Sequence, residues 1–380
     1  YGEGIVRGFD AQFNLNDLFS GLEASKTRLI LGGSVVSKYE EDKSLQYNLP
    51  ENVSAVSGRF NLSRGKFIVN GEYAYKINDP SYDNGYIFKP GEAIAFQTTY
   101  SQKGLGLSVA AQHIDNMSFR SERDEAVQDL LINYIPSLTK QHTYNLLATL
   151  YPYATQPSGE VAFQADAIYN FTKGSIIGGK YGTNIQLNYS TIHGLKKNPL
   201  NDENGMRQSY SSEYFQTDEV YFKDFNVTLT KKISKNLKGI FTYSNLVYNK
   251  DVILGKVGEK TVYADVAIAD LTYKFTMRNS LRMEAQHLST DQDQGDWATL
   301  LFEYSYSPHW YVAVLDQYNY GNDEEDQRIH YYNISAGYIN KGNRFSLSYG
   351  RQKAGLFCVG GVCRVVPASN GLYLSITSSF

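Results

Sequence analysis

Two cysteines, six histidines and several acidic clusters are the residues of this chain that could do chemistry, and their spacing narrows what that chemistry is. The cysteines stand in Cys358-Val359-Gly360-Gly361-Val362-Cys363. A Gly-Gly pair favours a two-residue hairpin turn, closed by Val359 and Val362, with Cys358 facing Cys363 at the next, non-hydrogen-bonded pair. Cα atoms there lie about 4.5–5.5 Å apart, within disulfide reach. A Cys358–Cys363 disulfide is therefore expected at an extracellular hairpin tip, and with it an oxidising, exported location. No His or further Cys stands beside the pair, which disfavours a metal site.

The histidines, His113, His142, His193, His287, His309 and His330, are scattered and form no recognisable pairing with a nucleophile or an acidic dyad. They read as interfacial or rim residues, so no catalytic residue and no enzymatic activity is expected. Asp291, Asp293 and Asp296 have the oxygen chemistry of a cation loop. An EF-hand, however, would need Gly and Glu where Asp296 and Phe302 stand. Weak divalent-cation binding that bridges to lipopolysaccharide is the most these acids suggest, and no metal or cofactor is assigned. Gly178-Gly179-Lys180-Tyr181-Gly182 lacks phosphate-loop spacing and reads as a turn.

The elements that must carry these residues alternate with a period of two. In the last stretch Leu372, Leu374, Ile376 and Phe380 share one face, and Tyr373, Ser375, Thr377 and Ser379 the other. An apolar stripe that finishes on Phe380 suits the assembly signal of an outer-membrane β-barrel, although Ser378 stands where a further aromatic is common. Phe345, Leu347 and Tyr349 repeat the pattern, as do Phe225, Val227 and Leu229 against Asp224 and Asn226, and Leu271, Tyr273 and Phe275 against Asp270 and Lys274. One face fits hydrocarbon and the other water. Asp270, Lys274, Arg282, Glu284 and Glu303 are thus expected to be lumen-facing charges, in a pore or in a sealed, salt-bridged interior.

Composition agrees. The 380 residues include 32 Tyr and 19 Phe, with 42% hydrophobic residues overall and a mean hydropathy of -0.40. Such an excess of aromatics suits two interfacial girdles, whereas a soluble β-helix or sandwich would have shorter strands and polar outer faces. No apolar run approaches the roughly 18 residues of a membrane-spanning helix. A net charge of -3 gives no reason to expect nucleic-acid binding.

Roughly 18 strands can be read, joined alternately by short turns, such as 63–66, 102–104 and 340–343, and by long polar links, such as 39–51, 79–91, 115–139 and 319–329. Counting back from the last strand, with one strand more or one fewer allowed within 158–219 to keep turns and links in phase, puts the beginning of the strand at 5–15 outside the cell. An odd number of strands upstream of Tyr1, in a processed or truncated chain that lacks its signal peptide, would explain that phase. One domain, 1–380, is expected. Ser121 can cap a helix over 121–135, with Val127, Leu130, Leu131 and Tyr134 at helical spacing, lying on the rim of the barrel rather than plugging it.

The segments YGEGIVRGFDA (1–11), YPYATQPSGEVAFQADAIY (151–169) and GRQKAGLFCVGGVCRVVPASNGLYLSITSSF (350–380) resemble a Bacteroidota family of porin-like outer-membrane β-barrels of unknown function. The resemblance spans the chain and implies fold and location, with further strands before the first segment; it implies no activity. Together these readings describe a transmembrane antiparallel up-and-down β-barrel of the bacterial outer membrane. Its expected function is a passive or partner-gated channel for small solutes, or else an accessory barrel of a larger envelope complex for secretion, assembly or nutrient uptake. Its expected partners are outer-membrane lipid and lipopolysaccharide, the barrel-assembly machinery, and a protein at the apolar 356–366 hairpin.

Overall fold

A computed structural model describes residues 2–125, 129–200, 207, 209–255, 257–359 and 362–378, with backbone alone at 215, 356–359 and 362–364. Among these residues seventeen strands form one sheet and two more form a separate ribbon. The fold class is the one expected, an all-β, antiparallel, up-and-down arrangement of the transmembrane β-barrel class. The chain forms two compact units, one of Tyr1–Thr139, Ala154–Asp166 and Ser190–Phe222, the other of Lys140–Tyr153, Ala167–Tyr189 and Lys223–Phe380.

The first unit holds β1 (Ile5–Asn14), β2 (Thr27–Tyr39), β3 (Asn52–Arg64), β4 (Phe67–Lys76), β5 (Gly91–Gln102) and β6 (Leu105–Asp115). Each pairs antiparallel with the next. Strands β7 (Gly159–Phe171), β8 (Thr183–Pro199) and β9 (Tyr210–Lys232) contribute residues to both units. The second unit continues with β10 (Leu237–Tyr248), β11 (Val262–Lys274), β12 (Asn279–Ser289), β13 (Trp297–Tyr306), β14 (Trp310–Asn319), β15 (His330–Asn340) and β16 (Asn343–Gln352). It ends with β17 (Gly355–Val359), β18 (Val362–Val366) and β19 (Ser369–Ser378). From β10 to β16 neighbours in sequence are neighbours in the sheet, and β16 pairs with β19.

Alternation decides orientation in both units. In the second, Leu300, Phe302, Val312, Val314, Ile334, Leu347, Leu374 and Ile376 are exposed, while their strand neighbours Thr299, Ala313, Ser335 and Ser348 are buried. Phe225 and Tyr273 are exposed and Asp224 and Asn226 fully buried, and Val227, Leu229 and Leu271 are half-buried. On these strands an apolar row faces out, and the row facing in mixes polar and small residues with apolar ones such as Val266, Ile268, Leu301 and Leu315, a pattern that suits a β-barrel wall. Aromatic pairs gather at the turn end of this face, with Trp310 against Tyr338 at 4.7 Å and Tyr273 against Phe275 at 5.0 Å between ring centres.

Two elements differ from expectation. Residues 121–125 and 129–135 are not helical, because their backbone is used in cross-links: Arg120 and Leu131 form an antiparallel bridge, Ser121 N donates to Leu130 O and Ile132 N to Phe119 O. Residues 126–128 of that expected helix lie outside the described residues. The strand through Phe345, Leu347 and Tyr349 ends at Gln352 and does not continue into the hairpin expected at Cys358–Cys363. Gly355 then adopts φ +131°, a region open to glycine and strained for other residues, and the chain turns into the separate β17–β18 ribbon.

Candidate functional site

The polar face of the first unit is built from small and amide side chains. One row runs across the ladder from Gln12 through Gly32, Arg59, Glu72 and Ala95 to Gln112. The next, nearer the tight turns, holds Asn61, Asn70 and Gln97. A cavity of about 610 Å³ lies against these rows, touched also by Ser137 and Gln164 and by the apolar Phe60, Phe96 and Leu138. Glu72 and Asp166 also line it, and so does Arg59, which is held against the wall. It lies flat over Gly32, where an added Cβ would come within 2.6 Å of its Nε, and pairs with Asp10 at 2.7 Å while donating to Ser34 Oγ at 2.8 Å.

At the loop end of the same unit, two lysines are fully buried. Lys38 and Lys76 lie 3.0 and 3.7 Å from the two oxygens of Asp79, and each ammonium stands 5.9 Å from the Phe119 ring centre. Buried cations persist only when paired and hydrogen-bonded. Lys38 also reaches Glu40 at 3.5 Å, and Lys76 donates to the Ser118 carbonyl. Arg120 and Arg123 tie the same segment down, to Asp83 at 2.7 Å and to Glu40 at 2.9 Å. The 117–123 segment is thereby fastened across the link between β4 and β5. Beside it, a hydrogen bond to Asp124 pushes the Tyr86 phenol up to about 12.

In the second unit the polar face is covered by the chain itself. Residues 140–153 lie on it, held by a ladder of side-chain bonds. Lys140 donates to Asn226 Oδ1, and His142 Nε2 lies 2.7 Å from Asp224 Oδ2. Tyr144 donates to Asp270 at 3.3 Å, Leu146 N to Gln286 Oε1 at 3.0 Å, and Tyr151 to Asp293 at 3.2 Å. A short helix, Asn145–Thr149, buries Leu146 and Leu147 completely against this face. Asp224 is saturated, accepting also from Ser244 at 2.7 Å and Asn226 at 3.0 Å. The β17–β18 ribbon follows the same course: Gly355 abuts Thr149 of the short helix, and Val366 packs on a buried cluster of Leu301, Tyr311, Ala313 and Leu315.

The residues singled out from sequence fall as follows. Asp270, Glu284 and Glu303 are buried on the polar face. Arg282 bridges Asp270 at 3.1 Å and also contacts Glu284, whereas Lys274, nearer the turn end, is exposed. Leu372, Leu374 and Ile376 lie exposed in one stripe of β19, and Phe380 lies outside the described residues. The backbone register sets Cys358 opposite Cys363; their side chains lie outside the described residues. Of the acidic loop, Asp293 is held by Lys250 at 2.7 Å and Asp296 accepts from Thr290 N at 2.9 Å. The His142–Asp224 contact was invisible in sequence, since 82 residues separate its partners. Lys353, just beyond β16, was missed as well. It lies 4.3 Å from the Trp297 ring centre, and burial pushes its ammonium down to about 8.

The sequence matches a family of unknown function (DUF6029) over residues 1–380. No curated protein is significantly similar to it. Among solved structures it is similar to a triple-mutant porin of Rhodopseudomonas blastica, at 14% identity and a TM-score of 0.34, with 98% of each chain covered. It is also similar to the open form of the ferric-catecholate import receptor Fiu of E. coli K12, at 9% identity and a TM-score of 0.38, covering 98% of this chain and 66% of the receptor. Likeness at this level says nothing of what this chain carries.

Proposed function

The chain belongs to this family of unknown function, DUF6029, and from that premise we propose that it is a porin-like channel for small polar solutes in the outer membrane of a Gram-negative bacterium. A Bacteroidota source is the one its sequence resemblance implies. The observation that carries the reading is the orientation of the sheet, with an apolar row outside and most of its buried polar residues inside, together with a cavity of about 610 Å³ lined by amides from several strands. A sealed, accessory barrel has no use for such a cavity. The cover formed by 140–153 favours a gated channel over a permanently open one, because it is held to the strands by side-chain contacts, several of them hydrogen bonds that water can replace, and not by a backbone ladder.

Outer-membrane lipid and lipopolysaccharide around the outward face, and the barrel-assembly machinery during insertion, are the partners this reading requires. Catalysis has no part in it. Conductance in planar bilayers tests the proposal. The full chain should show small or infrequent current steps, and a chain with 140–153 replaced by a Gly-Ser linker should show larger ones. Silence from both, with the linker variant folded, would turn the reading to the alternative, an accessory barrel of a larger envelope complex.

A further inference from the structure

We propose that the cavity on β1–β6 is a binding site for a neutral, polyhydroxylated solute, a saccharide of one to three rings. This rests on the channel reading and names its substrate class. The lining is the argument. Gln12, Asn61, Asn70, Gln97, Gln112 and Gln164 come from six different strands and converge on one space. Each amide presents two N–H donors beside one carbonyl acceptor, so that one amide can donate to one hydroxyl and accept from its neighbour. Hydroxyl pairs on adjacent carbons are the solute groups that match this pattern. Ser108 and Ser137 add hydroxyls of their own to the lining.

Three charged side chains, Arg59, Glu72 and Asp166, share the lining; a carboxylate accepts from adjacent hydroxyls, so both acids suit a saccharide, and only the guanidinium could favour an anion. Arg59 would dominate the cavity if it pointed inward. Instead Gly32 gives it room to lie against the wall, and Asp10 neutralises it at 2.7 Å. An anion therefore finds no free guanidinium to bind. The volume, about 610 Å³, falls within the roughly 300–1,000 Å³ of small-molecule pockets. Small side chains at Gly32, Ala95 and Ala110 keep it open on the wall side, and residues 136–138 stand over it.

The test uses the full chain in detergent, with maltotriose, lysine and glutamate as probes and saturation-transfer NMR titration as the readout. Maltotriose should bind at least tenfold more tightly than either amino acid. The double variant Asn70→Leu/Gln97→Leu should weaken it about tenfold, the loss of one to two hydrogen bonds. A second variant, Gly32→Ala, should weaken it by pushing the Arg59 guanidinium into the cavity, and it stands in should the double variant fail to show the heat-modifiable mobility of a folded barrel. Undetectable maltotriose binding, equal binding of lysine or glutamate, or unchanged affinity in a folded variant would overturn the assignment. Bilayer conductance of the same preparation separates the two readings: saccharide binding without current keeps the site and removes the channel, and current without binding does the reverse.

Discussion

Replacing Leu347 by arginine tests the orientation of the sheet at one position. Leu347 is the fifth residue of β16, exposed on the outward face, with Ala336 and Leu374 opposite it on the two neighbouring strands. At a rise of about 3.4 Å per residue and a tilt of about 40°, each residue climbs roughly 2.6 Å along the membrane normal. Four residues above Asn343, Leu347 lies roughly 10 Å into an apolar band about 25 Å tall, near its midplane. An arginine there should cost about 2–4 kcal/mol, against about 0–1 kcal/mol close to an interface. His330 supplies the interfacial comparison, since it faces the same way at the loop end of β15. Equilibrium urea unfolding in lipid vesicles would measure both, with an unchanged denaturant slope as the check that the folded state is the same. Equal losses for Leu347→Arg and His330→Arg, or a loss below about 0.5 kcal/mol at Leu347, would refute the claim that this face meets hydrocarbon.

Other outcomes follow from the covered polar face and the loop end. Asp224→Ala removes the acceptor of Ser244, Asn226 and His142 and should cost about 1–3 kcal/mol for each donor left buried and unpaired, read as a lowered urea midpoint with faster amide exchange in 140–153. Cys358 and Cys363 should be joined, as intact mass under non-reducing conditions will show; so small a loop contributes roughly 2 kcal/mol, and free thiols would end the idea. Lys353 should titrate near 8 by NMR of its methylated amine. Because burial disfavours its charged form, the folded chain should gain stability as pH rises from about 8 towards the unfolded lysine's about 10.5. Lys353→Met should remove that pH dependence.

The strands were legible because every strand position faces one of two solvents. Asn343–Gln352 and Ser369–Ser378 alternate cleanly for that reason, and local turn chemistry was enough to place Cys358 opposite Cys363 in the backbone. What covers the polar face was not legible. Leu146 and Leu147 look like any loop leucines, and nothing near His142 announces Asp224, because contacts made across 82 residues leave no local period. The helical spacing of Leu130, Leu131 and Tyr134 is real, yet pairing with Phe119 and Arg120 claimed the backbone that a helix would have used. Gly355 follows Arg351-Gln352-Lys353-Ala354 with no proline or paired turn residue to mark a stop, so the break at Gln352 was hidden too. The amides of the cavity were readable one by one; their convergence required the register.

The way the 140–153 cover is attached gives this molecule two tiers of rigidity. Strands are locked by backbone ladders that open only with the sheet, whereas the cover reaches the strands through Asp224, Asn226, Asp270, Gln286 and Asp293. Local opening with a free energy well below that of global unfolding is the signature of such a segment. The wall can therefore hold its register while the interior rearranges, and the thermodynamic cost of moving the cover is decoupled from the survival of the fold.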